Sequence, residues 1–262
     1  ADVIVSGGGT QCGGSMTLSA GNGGDGTIYW QNTISGGTST LEPSTSEVVS
    51  TNGTYYFRAQ SAEGCWGNEG SASVTINDIP DPVIVSGGGT QCGGSMTLTA
   101  SGGDGGTIYW QNTTSGGTST ANPSVSESVS ASGAYYFRSR SAEGCWGDEG
   151  SASVTINTLP ADVIVSGGGT QCGGSMTLSA GNGGDGTIYW QNTISGGTST
   201  LEPSTSEVVS TNGTYYFRAQ SAEGCWGNEG SASVTIYDLP NTVIVSGGGS
   251  QCGGSMTLTA DN

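Results

Sequence analysis

The sequence predicts an all-β protein, a series of tandem seven-stranded β-sandwiches arranged end to end, and three observations carry that expectation. The phrase VIVSGGG opens at Val3, Val83, Val163 and Val243, so the chain repeats itself every 80 residues. Inside each copy, short runs of alternating apolar and polar residues are separated by Gly, Asn, Asp and Pro, with no sustained helical period. Each complete copy also carries two cysteines 53 positions apart. The expected boundaries are 1–80 for repeat one, 81–160 for repeat two, 161–240 for repeat three and 241–262 for a partial fourth repeat. Repeats one and three read identically from Ala1 to Ile76 and from Ala161 to Ile236. The fourth holds only the opening segment and the CGGSMTL phrase, too little to close a core by itself.

Taken in order through repeat one, the strands are expected near Val3 to Ser6, Ser15 to Ala20, Thr27 to Gln31, Thr38 to Leu41, Ser46 to Thr51, Thr54 to Gln60 and Ser71 to Ile76. Because side chains alternate faces along a strand, Met16, Leu18 and Ala20 share one side, as do Ile28 with Trp30, Tyr55 with Phe57 and Ala59, and Ala72 with Val74 and Ile76. Those faces make the core. The opposite positions, such as Thr17, Ser19, Arg58, Ser73 and Thr75, are mostly polar, as a solvated sheet face requires. Asn52-Gly53 between two strand runs reads as a two-residue hairpin turn. An odd number of strands brings the chain in at one pole and out at the other. The short connections around Pro80, Pro160 and Pro240 restrict the backbone between copies, so a semi-rigid rod is expected.

Units of this size have little stability to spare from burial alone, and the cysteines supply a supplement. Arithmetic pairs them within repeats, Cys12 with Cys65, Cys92 with Cys145 and Cys172 with Cys225, and leaves Cys252 over. Disulfides at this density belong to an oxidising compartment, so periplasm, cell surface or extracellular medium is expected. A zinc site fits poorly, since there is no histidine and no CxxC pair. Four basic residues against 21 acidic ones leave a net charge of -17, which repels phosphate backbones and anionic membranes. Nucleic acid is excluded as a partner, and no apolar run is long enough for membrane insertion.

The order of cysteine, strand, buried tryptophan, Gly-Thr-Tyr-Tyr strand and second cysteine is immunoglobulin-like. QCGGSMTLSA at Gln11 to Ala20, IYWQN followed by SGG at Ile28 to Gly37, and GTYYFRAQSAEGC at Gly53 to Cys65 resemble the immunoglobulin-like repeats of giant Bacteroidetes surface proteins. Such repeats occur in gliding-motility adhesins of the SprB kind and in other cargo of the type IX secretion system. The resemblance implies cell adhesion by a secreted filament or stalk, extracellular and at a bacterial cell surface. It departs from the antibody pattern in two ways. Cys12 precedes its strand and Cys65 follows its own, so a bridge would clip one end of the sandwich, and the tyrosines stand too far from Cys65 for an antibody-type tyrosine corner.

Few residues suit chemistry. Trp30, Trp110 and Trp190 read as core. Trp66, Trp146 and Trp226 follow the second cysteine of each repeat and read either as a cover for the disulfide or as a contact surface for a glycan or a neighbouring copy. The Gly-rich loop around Asp25 and the linker residues Asp78 and Asp81 offer oxygens but no calcium-loop spacing, so no metal and no cofactor is expected. The Ser6-Gly-Gly-Gly9 run lacks the lysine and helix of a phosphate loop. Arg58, Arg138 and Arg218 are expected in ion pairs within their repeats. Without His or Lys, catalysis has no common base; Glu63 with Glu69 is the one carboxylate pair to consider, and no catalytic residue is assigned. The leading function is a structural stalk presenting a distal tip. The alternatives are a glycan-binding module acting by avidity and a subunit polymerising by strand exchange through the partial repeat. The expected partners are other copies or neighbouring repeats of the same kind, with surface glycans as a further class.

Overall fold

The computed structural model describes residues 2–261; Ala1 and Asn262, which bound the first and last repeats, lie outside the described residues. All regular structure among the described residues is β. Contacts group the chain into two compact units, one of Ala1–Thr90 with Ser95–Thr155 and the other of Gln91–Gly94 with Ile156–Asn262.

Repeat one contains β1 (Ile4–Ser6), β2 (Gly9–Cys12), β3 (Met16–Gly21), β4 (Thr27–Asn32), β5 (Ser46–Val49), β6 (Gly53–Gln60) and β7 (Trp66–Asn77). The same seven recur in repeat two as β8 (Val83–Ser86), β9 (Gly89–Cys92), β10 (Met96–Gly102), β11 (Thr107–Asn112), β12 (Ser126–Val129), β13 (Gly133–Arg140) and β14 (Gly150–Asn157). Repeat three supplies β15 (Ile164–Ser166), β16 (Gly169–Cys172), β17 (Met176–Gly181), β18 (Thr187–Asn192), β19 (Ser206–Val209), β20 (Gly213–Gln220) and β21 (Trp226–Tyr237). The partial repeat forms only β22 (Ile244–Ser246) against β23 (Thr259–Asp261).

Each full repeat is a sandwich of a three-stranded sheet, β1-β3-β5 in repeat one, and a four-stranded sheet, β2-β7-β6-β4. The pairs are antiparallel except that β2 runs parallel to β7, with Gly9 opposite Val74 and Cys12 opposite Asn77. This is an immunoglobulin-like layout, tandem in the sequence. The alternation of the strands dictates what lies between the sheets: Val3, Leu18, Ile28, Trp30, Val49, Tyr55, Phe57, Ala59 and Val74 form the core, flanked by Met16, Ala20, Ala72 and Ile76. Trp30 stacks on Tyr55 at 5.5 Å and tilts against Phe57 at 4.7 Å. Leu18 and Phe57 are fully buried, while Thr17, Ser19, Ser73 and Thr75 face solvent.

Two strands differ from expectation. Residues 38–41 form no strand, because the backbone of Ser39 is taken by a side chain. Buried Gln31 accepts from the Ser39 N–H at 2.9 Å and donates to the Ser39 carbonyl at 2.9 Å, imitating a strand partner. The unforeseen strand is β2, hidden in a Gly-rich stretch. The chain crosses there from one sheet to the other, and Gly7 makes the crossing possible: at φ +90°, a Cβ would lie 2.1 Å from the Thr17 carbonyl oxygen. The run that imitates a phosphate loop is a sheet-switching hinge.

Asn52-Gly53 is not a hairpin turn either. β5 and β6 belong to different sheets, so the pair lies in an arch between layers, where the Asn52 carboxamide oxygen accepts from the Ile76 N–H. The tyrosine corner, in turn, is present. The Tyr55 hydroxyl donates to the Thr51 carbonyl at 2.7 Å, and Tyr135 and Tyr215 do the same to Ala131 and Thr211. Spacing to the cysteine misled, because Cys65 lies beyond the end of β6 and the corner is built at its beginning. Replacing Tyr55, Tyr135 and Tyr215 together by Phe removes these bonds and those to the Thr51 and Thr211 hydroxyls, and should cost about 1 kcal/mol per repeat, read as a lower urea midpoint with unchanged far-UV circular dichroism.

Candidate functional site at the repeat poles

The parallel alignment of β2 with β7 decides where the cysteines go. Cys12 ends β2 opposite Asn77, at the pole where the chain leaves repeat one; Cys65 precedes Trp66, at the pole where β7 begins. Eleven steps along a strand separate these poles by roughly 36 Å. A disulfide needs its Cα atoms within about 7 Å, so Cys12 and Cys65 cannot meet. The expected pairing within repeats is therefore wrong. Cys12 bonds Cys145, and Cys92 bonds Cys225, each with Cα atoms 5.5 Å apart and a sequence separation of 133. The outlet pole of one repeat is joined to the inlet pole of the next. Cys65 and Cys172, expected in bridges, are free and exposed, as is Cys252.

Proline linkers run beside these bonds. Ile79 covers Gly13 in the loop after Cys12, where an added Cβ would come within 2.5 Å of it, and Pro80 is buried against Gly106 and Gly147 of repeat two. Asp81 donates its N–H to the Asp104 carbonyl at 3.0 Å. The second junction repeats this design: Leu159 covers Gly93, and Pro160 is buried against Gly186 and Gly227. Each junction thus has three parts, an aliphatic plug, a seated proline and a disulfide. Cys145 and Cys225 are fully buried.

Next to the inlet pole, Trp66, Trp146 and Trp226 are half-buried on the outer face of the four-stranded sheet. Tyr29 meets Trp66 edge-on at 5.7 Å, and the Arg58 guanidinium lies 5.6 Å from its ring centre. Tyr109 with Arg138, and Tyr189 with Arg218, treat Trp146 and Trp226 in the same way. The Arg58 Nε donates to the Gly67 carbonyl at 2.7 Å, and Arg138 and Arg218 donate likewise to Gly147 and Gly227. Glu69, opposite Arg58 in the ladder, is held by the Ser35 hydroxyl at 2.7 Å and the Gly36 N–H at 2.6 Å. Its carboxyl is kept below the ordinary 4.5, first by the Gly36 N–H and then by the Ser35 hydroxyl, with Arg58 contributing less. A carboxylate so occupied latches a loop. Glu63 lies outside that latch, in the exposed turn before Cys65.

Among the described residues, no three carboxylates or cysteines converge on a metal position, and Asp25, Asp78 and Asp81 are not drawn together. Among the described residues, no helix is long and apolar enough to cross a membrane.

Residues 80–160, which take in repeat two, match the family described as an Ig-like domain, CHU_C associated. No curated protein matches the chain. Among solved structures, the chain is similar to the N-terminal eight Ig domains of Down Syndrome Cell Adhesion Molecule isoform 1.30.30, at 17% identity and TM-score 0.28, over 99% of this chain and 44% of that one. It is also similar to a structure from a 1.5-MDa bacterial ice-binding adhesin, at 14% identity and TM-score 0.29, over 91% and 97%. A marsupial T cell receptor matches at 15% identity and TM-score 0.35, over 88% and 99%. The chain spans less than half the length of the first of these.

The Glu latch has a pH signature. Its folded carboxyl lies below 4.5, so the unfolded chain takes up the proton first as pH falls; the contribution is present above 4.5 and is lost as pH drops through the folded value. Urea midpoints measured across that range should fall less steeply for the E69Q/E149Q/E229Q variant than for the wild type. A second expectation concerns the buried amide: Gln31→Ala leaves the Ser39 backbone groups without their partner and should destabilise repeat one by about 1–3 kcal/mol, with fast amide exchange at Ser39.

Proposed function

We propose that the chain is a load-bearing stalk segment of a secreted bacterial surface adhesin, built from immunoglobulin-like repeats cross-braced from each to the next. The observation that carries this reading is the offset of the bridges, outlet pole to following inlet pole. A clamp inside one repeat would protect that repeat alone. A bridge between repeats supports tension at the junction, which is where a string of small sandwiches is otherwise held by a few linker residues.

Connectivity shows the effect. Pulled from Cys12 toward Cys225, an unbridged chain pays out 213 residues, whereas the bridged chain is limited by the 53 from Cys92 to Cys145. At roughly 3.5 Å per extended residue the reach falls from roughly 750 Å to roughly 190 Å. Each bridge also closes a loop of 133 residues, worth roughly 5 kcal/mol in the loop-entropy view. Disulfides of this kind persist in oxidising compartments, in keeping with an extracellular, cell-surface location. The resemblance to SprB-like gliding adhesin repeats supports the finer assignment to gliding motility and type IX export. Partners on this reading are neighbouring repeats of the same type.

The glycan-binding alternative rests on the half-exposed Trp66, Trp146 and Trp226, each of which already has a tyrosine and an arginine of its own repeat as partners. The stalk reading accounts for more of the structure.

Two measurements test it. Non-reducing peptide mapping of the native chain should yield Cys12–Cys145 and Cys92–Cys225 peptides. Single-molecule stretching should release several-fold more length per molecule after reduction than before. Bridges mapped within repeats, or equal lengths in both states, would overturn the proposal.

A further inference from the structure

Away from the poles, a cavity of about 380 Å³ lies along the β18 edge of repeat three, lined by Trp190, Gln191, Ile194, Gly197, Leu201 and Glu202. Its walls are fixed by the backbone. Buried Gln191 makes two bonds of 2.9 Å to the Ser199 backbone, as Gln31 does to Ser39, and the Trp190 N–H donates to the Glu202 carbonyl at 2.9 Å. The segment between them arches off the sheet and leaves two aliphatic side chains in water, Leu201 at 88% exposure and Ile194 at 64%. Leu41 and Ile34 stand at the same exposures in repeat one. Large aliphatic groups held open together beside a preformed cavity suit a contact surface.

Repeat two keeps the frame and changes the lining. Gln111 holds Ser119 by the same two bonds, and the Trp110 N–H reaches the Asn122 carbonyl, yet Thr114, Ala121 and Asn122 stand where repeats one and three have Ile, Leu and Glu. The frame therefore folds without them. Thr114 and Ala121 are exposed too, in a repeat with a full repeat on either side of it in the sequence, so this edge is open in all three copies. Charge changes together with apolarity. The Asn122 amide donates to the Glu127 carboxylate at 2.9 Å, whereas Glu42 with Glu47, and Glu202 with Glu207, place two carboxylates at these positions in repeats one and three. The chain has no lysine, Arg58, Arg138 and Arg218 are committed to glycine carbonyls, and Arg140 lies 5.8 Å from the Trp146 ring. A cation for these carboxylates has to come from another molecule.

We infer that the edge cavities of repeats one and three are docking sites for a segment of a different protein, one that carries an aliphatic or aromatic side chain next to lysine or arginine. The apolar side chain lies between Leu41 and Ile34, or Leu201 and Ile194, and the cation meets the glutamates at the rim. A second copy of the chain does not suit the site, because it brings a net charge of -17 and no uncommitted cation. Repeat two, with Thr114, Ala121 and Asn122, does not bind, so docking sites alternate with a blank repeat. The inference stands apart from the stalk reading, whose bridges lie at the poles.

The test uses the full, disulfide-intact chain and short labelled Gly-Ser peptides with a central Leu or Phe flanked by lysines. Fluorescence anisotropy should show saturation at two peptides per chain, with amide shifts at Ile34, Leu41, Ile194 and Leu201 and none at Thr114 or Ala121. Giving repeats one and three the lining of repeat two, by I34T/L41A/E42N with I194T/L201A/E202N, should abolish binding at an unchanged urea midpoint. The converse variant T114I/A121L/N122E should raise the stoichiometry to three. No binding of the lysine-flanked peptides, equal binding by the relined chain, or equal binding of peptides with Glu in place of Lys would overturn the inference. So would self-association of the wild-type chain that the relined variant loses, which would make a second copy the occupant.

Discussion

The parallel contact between β2 and β7 is the constraint from which the rest of the molecule follows. By laying Gly9–Cys12 alongside Val74–Asn77, it fixes the first cysteine of each repeat at the outlet pole and leaves the second at the inlet pole. No bridge inside a repeat can then form, and every bridge must reach into the next one. The contact depends in turn on the crossing between sheets at Gly7 and its copies, where any side chain would strike the Thr17 carbonyl.

Polar bonds then do inside the repeat what further strands do in larger sandwiches. Gln31 supplies a strand-like partner to Ser39, Asn52 ties the arch to β7, and Glu69 holds the loop at Ser35 and Gly36. These bonds tie irregular segments to a core of few residues; those of Gln31 and Glu69 recur at the same distances in all three repeats, and that of Asn52 recurs at Asn212 in repeat three, with Ser132 in its place in repeat two. The aromatic stack of Trp30, Tyr55 and Phe57 supplies the dense centre that a unit of this size needs. Where the later strands are missing, in the partial repeat, the residues equivalent to buried Val3 and Leu18 are exposed: Val243 at 56% and Leu258 at 63%.

Much was legible residue by residue. Alternation in the runs holding Leu18, Trp30, Phe57 and Val74 placed those side chains in the core, because a strand with one wet face has only one way to turn. The differences between repeats one and two, Leu41 against Ala121 and Val48 against Ser128, fall on exposed positions. The junction site was only half legible. Its cysteines and prolines stood out by composition, but separations of 53 and 133 are equally regular in a chain that repeats every 80 residues, so spacing could not choose between them.

What the sequence determined by itself was local: the period, the strands with a clear alternating pattern, the core faces and the acidic, oxidising-compartment chemistry, all of which follow from neighbouring residues acting on one another. What the tertiary structure alone decided was which pole each cysteine occupies, where the tyrosine corner forms, and that Pro80 and Pro160 are seated. Those outcomes depend on strand direction and on contacts between segments far apart in the chain. A one-dimensional pattern that is the same in every copy carries no information about which copy a side chain meets.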